Sequence, residues 1–173
     1  PFAIVIFPLY FDHIYINNCM KLHKTYKGKY KLKNPEKYVG DKDNVVYRSL
    51  WERRMMSYFD QTDNIVRWAS EPFPIPYYNN IKGRIARYFP DFLIQSIDKN
   101  GQKQTTLIEV KPHSETVEPR KRKRQTKKYL REVLTYDINR SKWESAEKYC
   151  ERKNWQWLII TEKDVNFNGS LCL

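Results

Sequence analysis

Tyr88-Phe89-Pro90-Asp91-Phe92-Leu93-Ile94 and, one turn later, Leu107-Ile108-Glu109-Val110-Lys111 read as two neighbouring apolar strands that carry an aspartate, a glutamate and a lysine. Charged side chains on such strands are costly unless they bind something. The segment between them, Asp98-Lys99-Asn100-Gly101-Gln102, is polar and holds an Asn-Gly pair of the kind that reverses a hairpin. Pairing symmetric about Asn100 sets Asp91 opposite Glu109, because each lies nine residues from that centre. Directly opposed residues share a face with Cβ atoms roughly 4.5–5.5 Å apart. Lys111 is two residues past Glu109, so the period-two pleat puts its ammonium on the same face, while Val110 points into the core.

Two carboxylates and an ammonium on one face suit a divalent metal and a scissile phosphate. Mg²⁺, or Mn²⁺ in its place, takes oxygen ligands, keeps several waters and accepts one or two carboxylates plus phosphate oxygens. The metal lowers the pKa of a bound water and neutralises charge on the phosphate. Lys111, a compact point charge, suits orienting that water or stabilising the pentacovalent phosphate. An ordinary surface hairpin with a cross-strand acid and lysine fits the same three residues.

Working outward, Asn44 to Phe59 reads as an amphipathic helix, with Val46 and Leu50 beside Tyr47, Trp51 and Met55 at four-residue spacing. Glu52 lies off that stripe, either as a partner for Arg48 one turn earlier or as a third acid reaching the metal site. Trp155 to Thr161 reads as another buried strand, entered from a helix over Ser141 to Cys150. Ser141 and Glu144 give that helix a capping-box signature, and Trp143, Ala146 and Cys150 give it an apolar stripe.

This order of elements resembles the PD-(D/E)xK nuclease superfamily, with Pro90-Asp91 and Glu109-Val110-Lys111 standing as its signature and Glu52 as its helical acid. Within it, Tyr47-Arg48-Ser49-Leu50-Trp51-Glu52-Arg53, Ile75-Pro76-Tyr77, Arg87-Tyr88-Phe89-Pro90-Asp91-Phe92 and Ile108-Glu109-Val110-Lys111-Pro112 are similar to the head completion nucleases of T-even type tailed phages, from about Asn34 to Asp164. The endonuclease subunits of cut-and-paste transposons are similar over the same core, including the end at Trp157-Leu158-Ile159-Ile160-Thr161-Glu162. The resemblance implies an α/β fold of the restriction-endonuclease type, a central mixed sheet flanked by helices. It also implies metal-dependent hydrolysis of DNA phosphodiesters, with Asp91 and Glu109 on the metal, Glu52 on a second metal or on water, and Lys111 at the nucleophile. The phage likeness further implies trimming of packaged DNA ends during head completion, with portal or neck proteins as partners and a place in the host cytoplasm or on the virion. A non-catalytic DNA-end-binding protein of the virion neck and a transposase-type subunit are the competing classes.

Charge agrees with a nucleic-acid partner. The chain carries a formal +12 over 173 residues, an electrostatic footprint suited to polyphosphate. Arg120-Lys121-Arg122-Lys123-Arg124 is followed by Lys127, Lys128 and Arg131 with no acid from Arg120 to Arg131, just past the proposed active strand. It is placed to follow a DNA backbone, although a nuclear-localisation run or a solvated helix face has the same composition. Lys21 to Lys33 interleaves lysines with aromatics and reads as a flexible basic arm.

The length suits one globular domain, expected over 34–173 behind an extension over 1–33. Three widely spaced cysteines, Cys19, Cys150 and Cys172, make neither a disulfide framework nor a zinc cluster and fit a reducing cytoplasm. Pro1 to Cys19 begins with an apolar run too short to span a bilayer. It is read as an upstream, non-native extension before a native start at Met20, or as an extra strand.

Several further residues have a structural and a functional reading. Glu71, before the alternating prolines Pro72, Pro74 and Pro76 of an expected edge strand, is a strand-end carboxylate or a substitute acid. His113 is a loop residue or a phosphate contact. Asn139 and Lys142 share a helix face or bracket its cap, with DNA contact as the alternative. Lys82, Arg84 and Arg87 lead into the Asp91 strand through a glycine turn, at the rim of a substrate groove. No P-loop, dinucleotide fingerprint, serine elbow or zinc-protease pair is present.

Overall fold

The computed structural model describes residues 26–164. The reading of Pro1–Cys19, Met20, Cys172 and the first lysines of the basic arm lies outside them. A short β1 (Gly28–Lys29) pairs with β2 (Val46–Tyr47), a 3-10 turn at Pro35–Lys37 lying between. Then follow α1 (Leu50–Gln61), β3 (Ile65–Ser70), β4 (Ile75–Asn79), β5 (Arg84–Tyr88), β6 (Phe92–Ile97), β7 (Lys103–Val110), α2 (His113–Thr116), α3 (Lys127–Lys153) and β8 (Gln156–Ile160).

The central sheet runs β3-β6-β7-β8, with β3, β6 and β7 antiparallel in turn and β7 parallel to β8. It is the mixed sheet of a restriction-endonuclease-like α/β fold. The β6–β7 register is the one expected from symmetry about Asn100, from Ile97 opposite Lys103 to Phe92 opposite Ile108. The turn is fixed by the Asp98 carboxylate, which accepts from the amides of Asn100 and Gln102, and by Gly101 at φ 76°, a conformation that costs glycine little.

Alternation along the strands sends successive side chains to two cores. On one face Phe92, Ile94, Ile108 and Ile160 meet Met55, Met56 and Phe59 of α1 and Ile65 and Trp68 of β3. On the other, Leu107 meets Ala146 and Cys150 of α3 and Ile75, Tyr77 and Tyr88 of the β4–β5 ribbon. Each large apolar side chain so buried contributes about 1.5–3 kcal/mol. The prolines explain why β4 stays out of the main sheet, since Pro72, Pro74 and Pro76 cannot donate ladder bonds. Among the described residues β4 pairs only with β5.

Four expectations about elements are corrected. Residues 88–94 are not one strand. β5 ends at Tyr88 in the separate ribbon, β6 begins at Phe92, and Pro90 between them has no amide hydrogen to give. The first helix starts at Leu50 and not Asn44, because Val46–Tyr47 is used in β2 and Ser49 caps the helix by accepting from the amide of Glu52. The second helix begins at Lys127, capped by Thr126. Ser141 is inside it and donates back to the carbonyl of Asp137, the bond a mid-helix serine makes. Among the described residues β8 is an edge strand, and it is largely half-buried, not fully buried.

The basic arm is tied down over its described part. Asp60, with no exposed surface, accepts from the Tyr30 hydroxyl at 3.1 Å and from the amides of Lys33 at 2.7 Å and Asn34 at 3.1 Å. Burial, followed by the Asp60 charge, pushes Tyr30 up to about 12. Among the described residues no helix is long and apolar enough to cross a membrane.

Candidate active site

The carboxylate pair sits where β6 begins and β7 ends, on the face turned to α3 and the ribbon. Asp91 stands one residue before β6, in step with Glu109. Its Oδ2 accepts from the Val110 amide at 2.7 Å, so the aspartate side chain takes up an amide at the end of β7. Lys111 Nζ lies 2.9 Å from Glu109 Oε1 and 4.0 Å from Asp91 Oδ2. The backbone of Lys111 is fixed by donation of its amide to Ile160 of β8 at 3.0 Å. The juxtaposition of Asp91, Glu109 and Lys111 that the hairpin symmetry requires is therefore present.

The electrostatics of the site are those of an under-neutralised acid pair. Glu109 is almost fully buried, with 3% of its side chain exposed against 21% for Asp91 and 26% for Lys111. Burial, then the Glu109 charge, pushes the Asp91 carboxyl up to about 7, against the opposing pull of Lys111 and the Val110 amide. Burial would lower the Lys111 ammonium, but the Asp91 and Glu109 charges outweigh it and hold the group above its ordinary value. Among the described residues one ammonium thus faces two carboxylates. A hard divalent cation fits this donor set, since it favours carboxylate oxygens and would neutralise the repulsion that raises Asp91.

Tyr88 is the contact that sequence reasoning missed. Its buried hydroxyl donates to Glu109 Oε2. Burial and the Glu109 charge hold the phenol far above its ordinary value, so it stays a donor. The signal was the alternation of buried Ile75, Tyr77 and Asn79 along β4. That pattern, paired with β5, turns Tyr88 inward.

Glu52 has a different local setting from the other two acids. It belongs to α1, which packs on the opposite face of the sheet, and completes a capping box with Ser49. Its Oε1 accepts from Ser49 Oγ at 2.9 Å and its Oε2 from the Arg48 amide at 2.7 Å. Its charge still adds to the upward push on Asp91, but among the described residues no three metal-ligating acids, histidines or cysteines form one cluster. The side-chain pairing expected between Arg48 and Glu52 is replaced by that backbone bond, and the Arg48 guanidinium pairs with Glu71 at 2.7 Å. Glu71, at φ 45°, also donates its amide to the Asp91 carbonyl at 3.0 Å, making it a brace beside the site.

The basic run lies close in sequence to this centre. Arg120–Arg124 form the exposed connection from α2 to α3, and Lys127 and Lys128 occupy the first turn of α3. Arg122 pairs with Glu132 at 3.1 Å and stacks on Tyr129. His113 opens α2; its amide donates to Glu162 and its ring accepts from Lys163, which ties it to the end of β8. Asn139 is buried in α3, and Lys142 lies over the Tyr77 and Tyr88 rings. Arg84 and Arg87 are exposed along the ribbon and Lys82 at its turn.

Comparison with known proteins agrees with the geometry. Residues 62–162 match the family described as TnsA-like endonuclease N terminal, a span that contains Asp91, Glu109 and Lys111. The chain is also 36% identical over 149 residues to the head completion nuclease of Enterobacteria phage T4, an alignment that covers 84% of this chain and 97% of that protein. With a mixed sheet of the restriction-endonuclease type and an acid pair at one end of its inner strands, the chain belongs to the TnsA-like endonuclease family and is a DNA endonuclease.

Proposed function

We propose that the protein hydrolyses DNA phosphodiesters by the PD-(D/E)xK scheme, with Asp91 and Glu109 holding Mg²⁺ or Mn²⁺ and Lys111 placing the nucleophile. The observation that carries this reading is the buried Asp91–Glu109 pair served by a single ammonium. A bound divalent cation supplies charge neutralisation on the phosphate and a more acidic water. The chain's own residues do the rest. Val110 fixes one oxygen of Asp91, and Tyr88 and Lys111 fix the two oxygens of Glu109, so the carboxylates are held before substrate arrives. As an ammonium, Lys111 donates to the water or to a non-bridging phosphate oxygen. It stabilises charge as the water oxygen bonds to phosphorus and the bond to the leaving oxygen breaks, the proton given up by the water ending on that departing oxygen through solvent. Glu52 contributes negative potential from the start of α1, polarising water or supporting a second cation.

DNA approaches, in this reading, along Arg120, Lys121, Arg122, Lys123, Arg124, Lys127 and Lys128. Lysines in the first turn of α3 oppose the positive end of the helix dipole. That cost is offset when a phosphate lies there, because helix N-termini and lysines both favour anions. The nuclease domain is taken to run from residue 34 onward. The similarity to a head completion nuclease supports a role in processing packaged DNA ends as a phage head is finished, with portal or neck proteins as partners in the infected host cell.

The test is cleavage of linear duplex DNA with Mg²⁺, Mn²⁺ or EDTA by the wild type, Asp91→Ala and Lys111→Ala. Metal-dependent cutting lost in both variants, with DNA binding retained, is the expected result. Cutting that persists in either variant or in EDTA overturns the scheme.

A further inference from the structure

We propose that Lys142 is a second phosphate contact of the active site, holding the DNA strand beside the scissile position. This rests on the reading of Asp91 and Glu109 as the cleavage centre. The Lys142 ammonium lies 5.9 Å from the Tyr77 ring centroid and 5.7 Å from that of Tyr88. These tyrosines stand on one face of the ribbon, diagonal across the β4–β5 ladder. The Tyr88 ring touches both groups, with the ammonium over its face and its hydroxyl donating to the Glu109 carboxylate.

The lysine's surroundings leave its charge open to substrate. Among the described residues no carboxylate lies within ion-pair distance of it. The helical neighbours three and four residues away are Ile138, Asn139, Ser145 and Ala146, none of them acidic. Arg140 on the same helix does take such a partner, Glu144 at 2.9 Å. A lysine serving only solubility would extend into water; this one is half-buried against two ring faces, a placement that orients a cation and partly strips its water. A DNA phosphate supplies the missing anion, and the ring of Tyr88 fixes its distance from the reacting centre.

The experiment measures affinity of the full chain for a linear duplex in EDTA against salt concentration, together with single-turnover cleavage in Mg²⁺. Lys142→Met keeps the apolar stem and removes the charge, Lys142→Arg keeps the charge, and Lys148→Met, an exposed lysine farther along α3, is the control. Removing one phosphate contact should flatten the log–log salt dependence by about 0.9, with cleavage reduced roughly 10-fold in Lys142→Met. Lys142→Arg and Lys148→Met should keep the wild-type slope. A wild-type slope in Lys142→Met, or an equal loss in Lys148→Met, overturns the proposal. Because the slope is read without metal, it decides this contact even if the wild type does not cut, whereas loss of cutting in Asp91→Ala decides the cleavage reading.

Discussion

Replacing Asp91 by Asn should stabilise the metal-free protein at alkaline pH while abolishing cleavage. Asp91 is pushed up to about 7, chiefly by burial and then by the Glu109 charge, from an ordinary 3.8. The folded state therefore binds the proton more tightly than the unfolded one. The stabilisation is fully present below pH 4 and is lost as pH rises through about 7. At about 1.4 kcal/mol per pKa unit the upper limit is on the order of 4 kcal/mol. With 21% of the side chain exposed, solvent screening brings the expected figure nearer to about 2 kcal/mol. Asn keeps an oxygen for the Val110 amide but does not ionise. Denaturant melts at pH 5 and pH 8 in EDTA should show wild-type stability falling relative to the variant, by an amount that shifts Tm roughly 4–8 °C. Mg²⁺ should then raise the wild-type Tm at pH 8 and leave the variant unmoved. Parallel pH profiles for the two proteins would refute the argument, since they would mean that Asp91 gains no protonation on folding.

Two further outcomes follow from the same contacts. Asp60→Ala removes the acceptor shared by Tyr30, Lys33 and Asn34. It should cost roughly 3 kcal/mol in denaturant melts and expose the segment from Tyr26 to Asn34 to limited proteolysis, whereas a loss under about 1 kcal/mol would contradict that anchoring role. Tyr88→Phe keeps the ring and deletes the donor to Glu109, so Mn²⁺ binding followed by electron paramagnetic resonance should weaken roughly 10- to 100-fold; unchanged Mn²⁺ affinity would show that the hydroxyl does not orient the carboxylate.

Sequence and structure diverge where periodicity is silent. The β6–β7 register was legible because an Asn-Gly turn fixes a centre and a period of two does the rest. Asp91, Glu109 and Lys111 followed from it without any tertiary information. The start of α1 was not legible from its apolar spacing. Val46 and Tyr47 fit a helical stripe by chance, and the decisive signal was the shorter one, Ser49 with Glu52 three residues on. The identical pattern at Ser141 and Glu144 misled, because the buried stripe of α3 at Asn139, Trp143, Ala146 and Cys150 occupies only its second half. The first half has its own apolar spacing at Leu130, Val133, Leu134 and Ile138, which the false cap at Ser141 cut off from the helix, and Leu130 and Leu134 are exposed. Tyr88 escaped because the alternation along β4 shows which face of the ribbon is buried but not that this face meets Glu109.

The neighbours of β7 reach it from very different distances along the chain. On one side stands β6, joined by a tight turn; on the other stands β8, which arrives only after all of α3. In a chain emerging from the ribosome, every residue of the hairpin that sets Asp91 against Glu109 has been made while the strand that receives the Lys111 amide is still unmade. The acids assemble early and locally; the anchorage of the lysine arrives last. A polypeptide halted before Gln156 carries both acids without the strand that receives the Lys111 amide, so the two signs of this charged cluster depend on parts of the chain made at different times.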